Sequence, residues 1–324
     1  MFITVFFLGV VMTYEVSAAS PESIGSEADF SLLPHLPMFS AELSPDVELF
    51  LGQKRRRHGG GGRVWANAYY GDTTLKPKEG GKIEPSLYGF QIGFDVIKSH
   101  GTFSTFFFNI NQSKVKFGEH FGGGASTVDN YLLGYGKFTY FSLCHFAFTG
   151  SVGYDRYEVS RGNTNTGDGL QINLFGEFGL DFIIANWAIK PFYALQYDFL
   201  YHGSIGGVPT LYSDWDGHGL QQLFGLRLQW KPTHILELQS RATWVHELLN
   251  NPPPFYRARF SPMPGISTPV IMFHEGNTGR DWVWLGIGAK LECLFNLSLF
   301  LDYDLLLNKQ HVTHLGTLGL CLSW

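Results

Sequence analysis

A two-residue repeat of hydrophobicity runs through most of the chain from residue 62 onward. In the segment 296–307 one face is large and apolar: Leu297, Leu299, Leu301, Tyr303, Leu305 and Leu307. Successive side chains of a strand point to opposite faces, whereas a helix would space its apolar residues three and four apart. The repeat therefore predicts an all-β fold whose strands each have one apolar face.

Twelve segments carry this pattern. They are 62–71, 87–97, 101–112, 127–140, 144–157, 169–182, 187–201, 219–230, 234–247, 280–293, 296–307 and 311–324. A tilted transmembrane strand needs roughly nine to eleven residues, whereas strands of soluble proteins usually have about five or six. A soluble sandwich also alternates, with its polar face toward water. The length of the segments favours strands that cross a membrane.

Composition supports the same class of protein. Only 16% of the residues are charged, against about 25% in soluble domains, while 44% are hydrophobic. No uncharged apolar run reaches the 18 or so residues that a membrane helix requires. The formal net charge of -5 argues against a nucleic-acid partner. The three cysteines are widely spaced and form no recognisable disulfide or metal pattern.

The connections between the segments are short and long in turn. The short ones are 98–100, 141–143, 183–186, 231–233 and 294–295; the long ones are 72–86, 113–126, 158–168, 202–218 and 248–279. Only the last, 308–310, is short where a long one is due. Short turns on one side and long loops on the other are typical of outer-membrane barrels. We therefore expect a twelve-stranded antiparallel up-and-down transmembrane barrel.

Aromatic residues near the segment ends would form the two interfacial girdles of such a barrel. They are Tyr69, Tyr70, Tyr140, Phe141, Trp187, Tyr201, Trp230, Trp244, Trp282 and Trp324.

The N-terminal part has a different character. Residues 1–19 are predicted to be a secretory signal peptide, because an apolar run is followed by the small-x-small pattern at Val16-Ser17-Ala18. Residues 20–61 form a short polar segment that contains a candidate helix within 46–57. The glycine run that ends at Gly62 is typical of a linker, so the barrel domain is assigned to 62–324.

Ten charged residues fall on the polar face of their strands and are expected to point into the lumen. They are Glu177, Asp181, Lys190, Arg227, Glu237, Arg241, Lys290, Glu292, Asp302 and Asp304. Because their signs are mixed, a network of ion pairs and water is the expected arrangement. Outer-membrane proteases and lipases use such carboxylate, His or Ser groups on a similar frame, so a hidden catalytic site is the alternative. We predict no catalytic residue and no cofactor.

Two short motifs suggest a metal site but depart from the required pattern. His246-Glu247-Leu248-Leu249-Asn250 has Asn where a zinc protease has its second His, and it ends a strand rather than lying on a helix. The segment 214–217 has calcium-loop residue types without the full spacing or the terminal Glu. No metal is therefore predicted.

The order of several motifs resembles the autotransporter β-domain family. The motifs are Val64-Trp65-Ala66, Tyr88-Gly89-Phe90-Gln91-Ile92-Gly93-Phe94-Asp95, Gly150-x-x-Gly153-Tyr154, Trp244-Val245-His246-Glu247, Arg280-Asp281 with Leu285-Gly286-x-Gly288, the strand 296–303 and the C-terminal strand. The Trp-x-His-Glu end of a strand is the most specific of them, and the resemblance covers the whole of 62–324.

The resemblance implies a twelve-stranded barrel in the outer membrane of a Gram-negative-type bacterium. Its partners would be the lipid bilayer and the barrel assembly machinery, with the apolar face Leu318, Leu320, Leu322 and Trp324 as the assembly signal. It implies a monomer that exports or displays an N-terminal segment, with a helix of that segment in the lumen, and not an enzyme. Only about forty residues separate the predicted cleavage site from the barrel, and they hold no repeat or catalytic domain. A channel or structural barrel without a passenger is therefore the alternative.

Overall fold

The computed structural model describes most of the chain after residue 61. The described residues are 62–75, 84–99, 102–116, 125–141, 143–161, 163–203, 205–206, 210–212, 215–251, 256–260, 270–273, 281–293, 296–308 and 311–324. The predicted signal peptide, the segment 20–61 and its candidate helix lie outside them. Within these ranges no helix is long and apolar enough to cross a membrane.

Seventeen strands account for nearly all described residues. They are β1 (Gly62–Leu75), β2 (Glu84–Ser99), β3 (Thr102–Lys116), β4 (Ala125–Phe141), β5 (Cys144–Arg161), β6 (Asn163–Leu180), β7 (Phe182–Ile184), β8 (Trp187–His202), β9 (Ile205–Gly206), β10 (Thr210–Tyr212), β11 (Trp215–Trp230), β12 (Leu236–Asn251), β13 (Tyr256–Phe260), β14 (Val270–Phe273), β15 (Asp281–Glu292), β16 (Leu297–Leu307) and β17 (His311–Ser323).

Twelve of these strands close into one antiparallel barrel. The order around the wall is β1, β2, β3, β4, β5, β6, β8, β11, β12, β15, β16 and β17. The ring closes where β17 pairs with β1 over its full length, from Arg63 opposite Ser323 to Leu75 opposite His311. The twelve-stranded antiparallel barrel predicted from the sequence is confirmed.

The remaining strands lie near the two ends of the wall. β7 pairs with β8 and extends the hairpin beyond β6. The short strands β9, β10, β13 and β14 form a separate four-stranded sheet, drawn from the connections that follow β8 and β12. The long connections at this end therefore contain a small sheet of their own.

Both ends of the barrel chain meet at one rim. The backbone N–H of Trp324 donates to the carbonyl of Gly62 at 3.0 Å, and the N–H of Gly62 donates back at 3.3 Å. The short turns after β2, β4, β11 and β15 lie at this same rim, called here the short-turn end; the opposite rim is the loop end. One expectation about the loop end is wrong: β5 and β6 stay paired as far as Arg161 opposite Asn163, so most of 158–168 is a hairpin.

The outer face of the wall is apolar, whereas the inner face carries most of the buried polar and charged side chains together with an apolar cluster that includes Phe175, Leu223 and Trp284. On β2, Phe90, Ile92 and Phe94 point outward with 42–47% of their surface exposed, whereas Gln91 and Asp95 point inward and are buried. This is the reverse of a water-soluble domain, in which exposed apolar surface is broken into small patches. Since every barrel strand repeats the pattern, the outer surface is suited to lipid.

The aromatic girdle is only partly as predicted. Trp187 and Trp230 point outward at the short-turn end and stack with their ring centroids 5.3 Å apart. Tyr69 and Trp282, however, point inward and are buried, and Tyr140 also points inward and packs against the buried ring of Phe138 and its neighbours. Tyr69 is two residues from the inward-facing Asn67 and therefore lies on the same face of β1. Its hydroxyl donates to Asn109 at 2.9 Å. A buried hydrogen-bond partner fixes its side chain inside the barrel rather than at the interface.

Inward-facing glycines lie opposite large side chains. Trp65 faces Gly93, Phe107 faces Gly134 and His145 faces Gly179 across adjacent strands. In each pair the ring occupies the space that a glycine Cβ would need. The large side chains therefore lie flat against the neighbouring strand instead of projecting into the lumen, as in other sheets where an aromatic ring covers a glycine.

We expect Gly134→Val to destabilise the barrel by about 1–3 kcal/mol, the usual cost of forcing extra atoms into a packed site. The added side chain would overlap the ring of Phe107 and displace it toward the lumen. Urea unfolding in detergent, followed by band shift on unheated gels, measures the change. Gly316→Val is the matched control, since Gly316 points outward and the atom nearest to an added Cβ would be a backbone oxygen 3.9 Å away. Equal effects of the two changes would contradict the packing argument.

Candidate functional site

The barrel lumen is the candidate site, and its most densely connected group lies near the short-turn end. Arg227 on β11 donates through both terminal nitrogens to the two carboxylate oxygens of Glu177 on β6, at 2.6 and 2.7 Å. The guanidinium also lies 3.9 Å from the centre of the Phe192 ring. A bidentate pair of this kind fixes both orientation and charge, so β6 and β11 are tied across the intervening β8.

His145 on β5 joins this group. Its Nε2 lies 3.0 Å from Glu177 and its Nδ1 lies 2.6 Å from Asp181. Because carboxylates only accept hydrogen bonds, both contacts are satisfied when the two ring nitrogens donate, as in the imidazolium form. Lys190 lies 3.9 Å from the second oxygen of Asp181. Two carboxylates, a guanidinium, an ammonium and an imidazole thus meet on the inner wall of four adjacent strands.

A second group lies on β12, β15 and β16. Arg241 binds Asp304 through two nitrogens, and its Nε contact measures 2.7 Å. The indole of Trp284 donates to the same carboxylate at 2.9 Å, and the guanidinium lies 4.6 Å from the centre of that ring. Gln239 donates to Asp302 at 2.5 Å.

The other predicted lumen charges lie outside these two groups. Glu237 and Lys290 are both buried on the inner wall and face each other across β12 and β15. Glu292 lies at the short-turn end, where it accepts from Lys231 at 3.4 Å with about a third of each side chain exposed. The structure therefore brings the predicted charges together as small cross-strand groups of opposite sign.

Farther from the short-turn end, the inner wall of β3 to β6 carries mainly amides and hydroxyls, with the buried carboxylate of Asp155 among them. Its side-chain hydrogen bonds form a chain of amides and hydroxyls from strand to strand: Asn111 to Asn130, Asn130 to Gln171, Gln171 to Asn173 and Asn173 to Ser151. These distances are 2.9–3.1 Å. The lumen thus has a charged sector, formed by the ion-paired groups, and beside it an amide sector, in which Asn130 also donates to Asp155.

Sequence reasoning missed several inward residues. Arg63 pairs with Asp95 at 2.6 Å, and the indole of Trp65 donates to the same carboxylate at 3.2 Å. Arg63 is one residue before the predicted Val64-Trp65-Ala66 motif, and the parity of its strand would have placed it inside. His145 was missed because it was left out of the count of charged residues, although it sits on the inward face of β5.

Two of the family-like motifs meet on the outer surface. The indole of Trp244 donates to Asp281 at 3.0 Å, and Nδ1 of His246 lies 2.8 Å from the same oxygen. Glu247 is buried on the opposite face of the strand, so His246 and Glu247 cannot hold one ion. Among the residues that the structure describes, no three His, Cys, Asp or Glu side chains are grouped to bind a metal. Asp214 of the calcium-like segment lies outside them.

The predicted assembly signal lies on the outer face of β17. Leu318, Leu320, Leu322 and Trp324 all point outward, and 67% of the surface of Trp324 is exposed. Thr317 and Cys321 alternate with this set along the strand and are buried on the inner wall. The face is continuous, and it ends at the rim where Gly62 and Trp324 meet.

Comparison with known proteins agrees with this architecture. The family profile "Autotransporter beta-domain" matches residues 64–304. The translocator domain of the autotransporter NalP from Neisseria meningitidis superposes with a TM-score of 0.64 at 15% identity, covering 82% of this chain and 90% of that one. The transport unit of the autotransporter AIDA-I from Escherichia coli gives 0.59 at 14% identity, covering 82% and 91%.

A third structure has the same fold. The β domain of the Bordetella autotransporter BrkA gives a TM-score of 0.58 at 14% identity, covering 81% of this chain and 99% of that domain. No curated protein sequence matches the chain.

Proposed function

Because the chain belongs to the autotransporter β-domain family, we propose that it is an outer-membrane barrel that carries its own N-terminal segment to the cell surface and anchors it there. The observation that carries the proposal is the position of Gly62. This residue begins β1 at the short-turn end, next to Trp324. A segment that precedes Gly62 therefore starts at that rim, and the direct route to the loop end leads through the lumen.

The orientation follows from the barrel rule that short turns face the periplasm and long loops face outward. The polar inner wall suits a polypeptide in transit, since the amide sector offers both donors and acceptors to a passing backbone. The charged sector presents groups already paired with one another, so it would hold a segment weakly. The proposed partners are the bilayer, the assembly machinery and the chain's own N-terminal segment.

Surface display can be tested with an epitope tag inserted after Ala28. We expect antibody to label the tag on intact cells. The same tag placed between His100 and Gly101, in a short turn, is the control that should be labelled only after the outer membrane is permeabilised. A tag at Gly123, in a long connection, should be labelled on intact cells. If the tag after Ala28 behaves like the one at His100, the segment stays in the periplasm and the display function is wrong.

A channel without a passenger is the second candidate, and the polar and charged side chains that line much of the lumen are the observation that favours it. Conductance in planar bilayers separates the two functions. A translocator whose N-terminal segment occupies the lumen should conduct little until residues 20–61 are deleted. A channel should conduct steadily with the full chain and change little on deletion.

A further inference from the structure

We infer that the outer wall carries a binding site for a single anionic glycerophospholipid, with its phosphate on Lys137 and one acyl chain in an adjacent apolar groove. The site lies on β1 to β6, outside the lumen. It requires the barrel to lie in a membrane, but it does not depend on export of an N-terminal segment.

The first observation is a groove on the outward face with a volume of about 710 Å³. That volume falls within the roughly 300–1,000 Å³ that is usual for small-ligand sites. Its lining is almost wholly apolar and includes Val64, Phe94, Phe106, Leu133, Val152 and Leu174. Elsewhere the wall of a barrel is convex toward lipid, so a concave apolar surface can contact a chain on more than one side.

The groove exists because one position in a row of large side chains is empty. Outward residues follow one another across the strands as Phe94, Phe106, Tyr135, Gly150 and Leu174. Phe94 and Phe106 stack with ring centroids 5.1 Å apart, and Phe106 is equally far from Tyr135. Gly150 then contributes no side chain, and the row resumes at Leu174. The gap gives the groove its depth.

The second observation is a cation on the lipid-facing surface beside the groove. Lys137 points outward on β4 and is exposed. It is the only Lys, Arg, Asp or Glu side chain that the structure describes on the outer face of the strands in the half of the barrel nearest the short turns. None of the described residues forms an ion pair or hydrogen bond with it. An ammonium group there is costly unless it reaches a phosphate at the interface.

Polar groups next to Lys137 complete the site. Lys137 faces Ser104 across β3 and β4, and the hydroxyl of Ser104 lies 3.3 Å from that of Tyr135, the next outward residue on β4. Tyr135 also lines the groove. Ammonium, hydroxyls and apolar groove thus follow one another along the wall, as do the phosphate, ester and acyl chain of a glycerophospholipid. The short-turn end places them in the periplasmic leaflet.

Native mass spectrometry of the refolded full chain tests the site. The probes are phosphatidylglycerol and phosphatidylcholine with identical acyl chains. We expect one phosphatidylglycerol per barrel to survive release from detergent, with phosphatidylcholine lost more readily. Lys137→Gln and Gly150→Leu should each weaken retention at least tenfold, the first by removing the charge and the second by filling the groove. Lys137→Arg should retain the lipid.

Two matched variants control for non-specific effects. Lys114→Gln removes an exposed outward lysine at the loop end, and Gly316→Leu adds an outward leucine on β17; both should retain the lipid as the unchanged chain does. Band shift on unheated gels checks that every variant folds. Unchanged retention in Lys137→Gln or in Gly150→Leu would overturn the proposal. Equal retention of the two lipids would overturn its phosphate–ammonium part, and loss in the control variants would mean adventitious binding only.

Discussion

Arg227→Met is expected to lower the free energy of unfolding of the detergent-refolded barrel by about 3 kcal/mol, at the lower end of the range for breaking a buried ion pair. Arg227 is 7% exposed and holds Glu177 through two hydrogen bonds. Methionine keeps much of the packing against Phe192 but leaves the carboxylate with His145 as its remaining partner in this group. Urea titration followed on unheated gels gives the free energy.

The double variant Glu177→Gln with Arg227→Met separates charge from packing. We expect it to recover most of the loss, because removing both partners costs less than stranding one buried charge. Arg156→Met is the matched control, since Arg156 points outward and is exposed, and it should change stability by less than about 0.5 kcal/mol. A double variant no more stable than Arg227→Met would show that Arg227 acts through its packing.

Deletion of Trp324 is expected to lower the amount of barrel in the outer membrane roughly tenfold, as would follow if one aromatic anchor contributed about 1.4 kcal/mol to recognition. Refolding in detergent should stay near normal, because a lone interfacial Trp adds a few kcal/mol at most by area burial. The two assays are heat-modifiable band intensity in membrane fractions and refolding yield in detergent.

Trp230→Ala is the control for this deletion. Trp230 is an exposed outward tryptophan at the same rim, but it is not part of the C-terminal strand. If the deletion of Trp324 lowered membrane insertion and refolding yield equally, its role would be structural, since its backbone also pairs with Gly62. No loss in either assay would mean that this end of the chain is not the assembly signal.

The strand number and the two faces of the wall were predictable because lipid and lumen impose opposite polarity on alternate residues. This constraint stops where the wall leaves the membrane. The ends of β5 and β6 were therefore missed. Around Glu158 and Thr164 the sequence does not alternate between apolar and polar residues, so nothing indicates a strand, although both residues continue the hairpin.

The inner wall was predictable only in part. The alternation of side chains along each strand places Glu177 and Arg227 inside the barrel. It does not show that they form an ion pair, because β8 lies between their strands and the register between strands cannot be read from a single segment. The same holds for the pairing of Phe107 with Gly134, which depends on how β3 and β4 align. Tyr69 was wrongly predicted as a girdle residue, because its position near a strand end was used without asking whether its side chain lies on the inward or the outward face.

The pairing of β1 with β17 has a consequence for the order in which the barrel is made. The hydroxyls of Thr73 and Thr313 lie 2.9 Å apart although 240 positions separate them in sequence. Closing so long a loop costs conformational entropy, and the contacts offset this cost only after the intervening chain is ordered. Such contacts are therefore slow to form. Ribosomal synthesis must therefore finish before the ring can close, and until then the first and last strands are open edges that can pair with other chains.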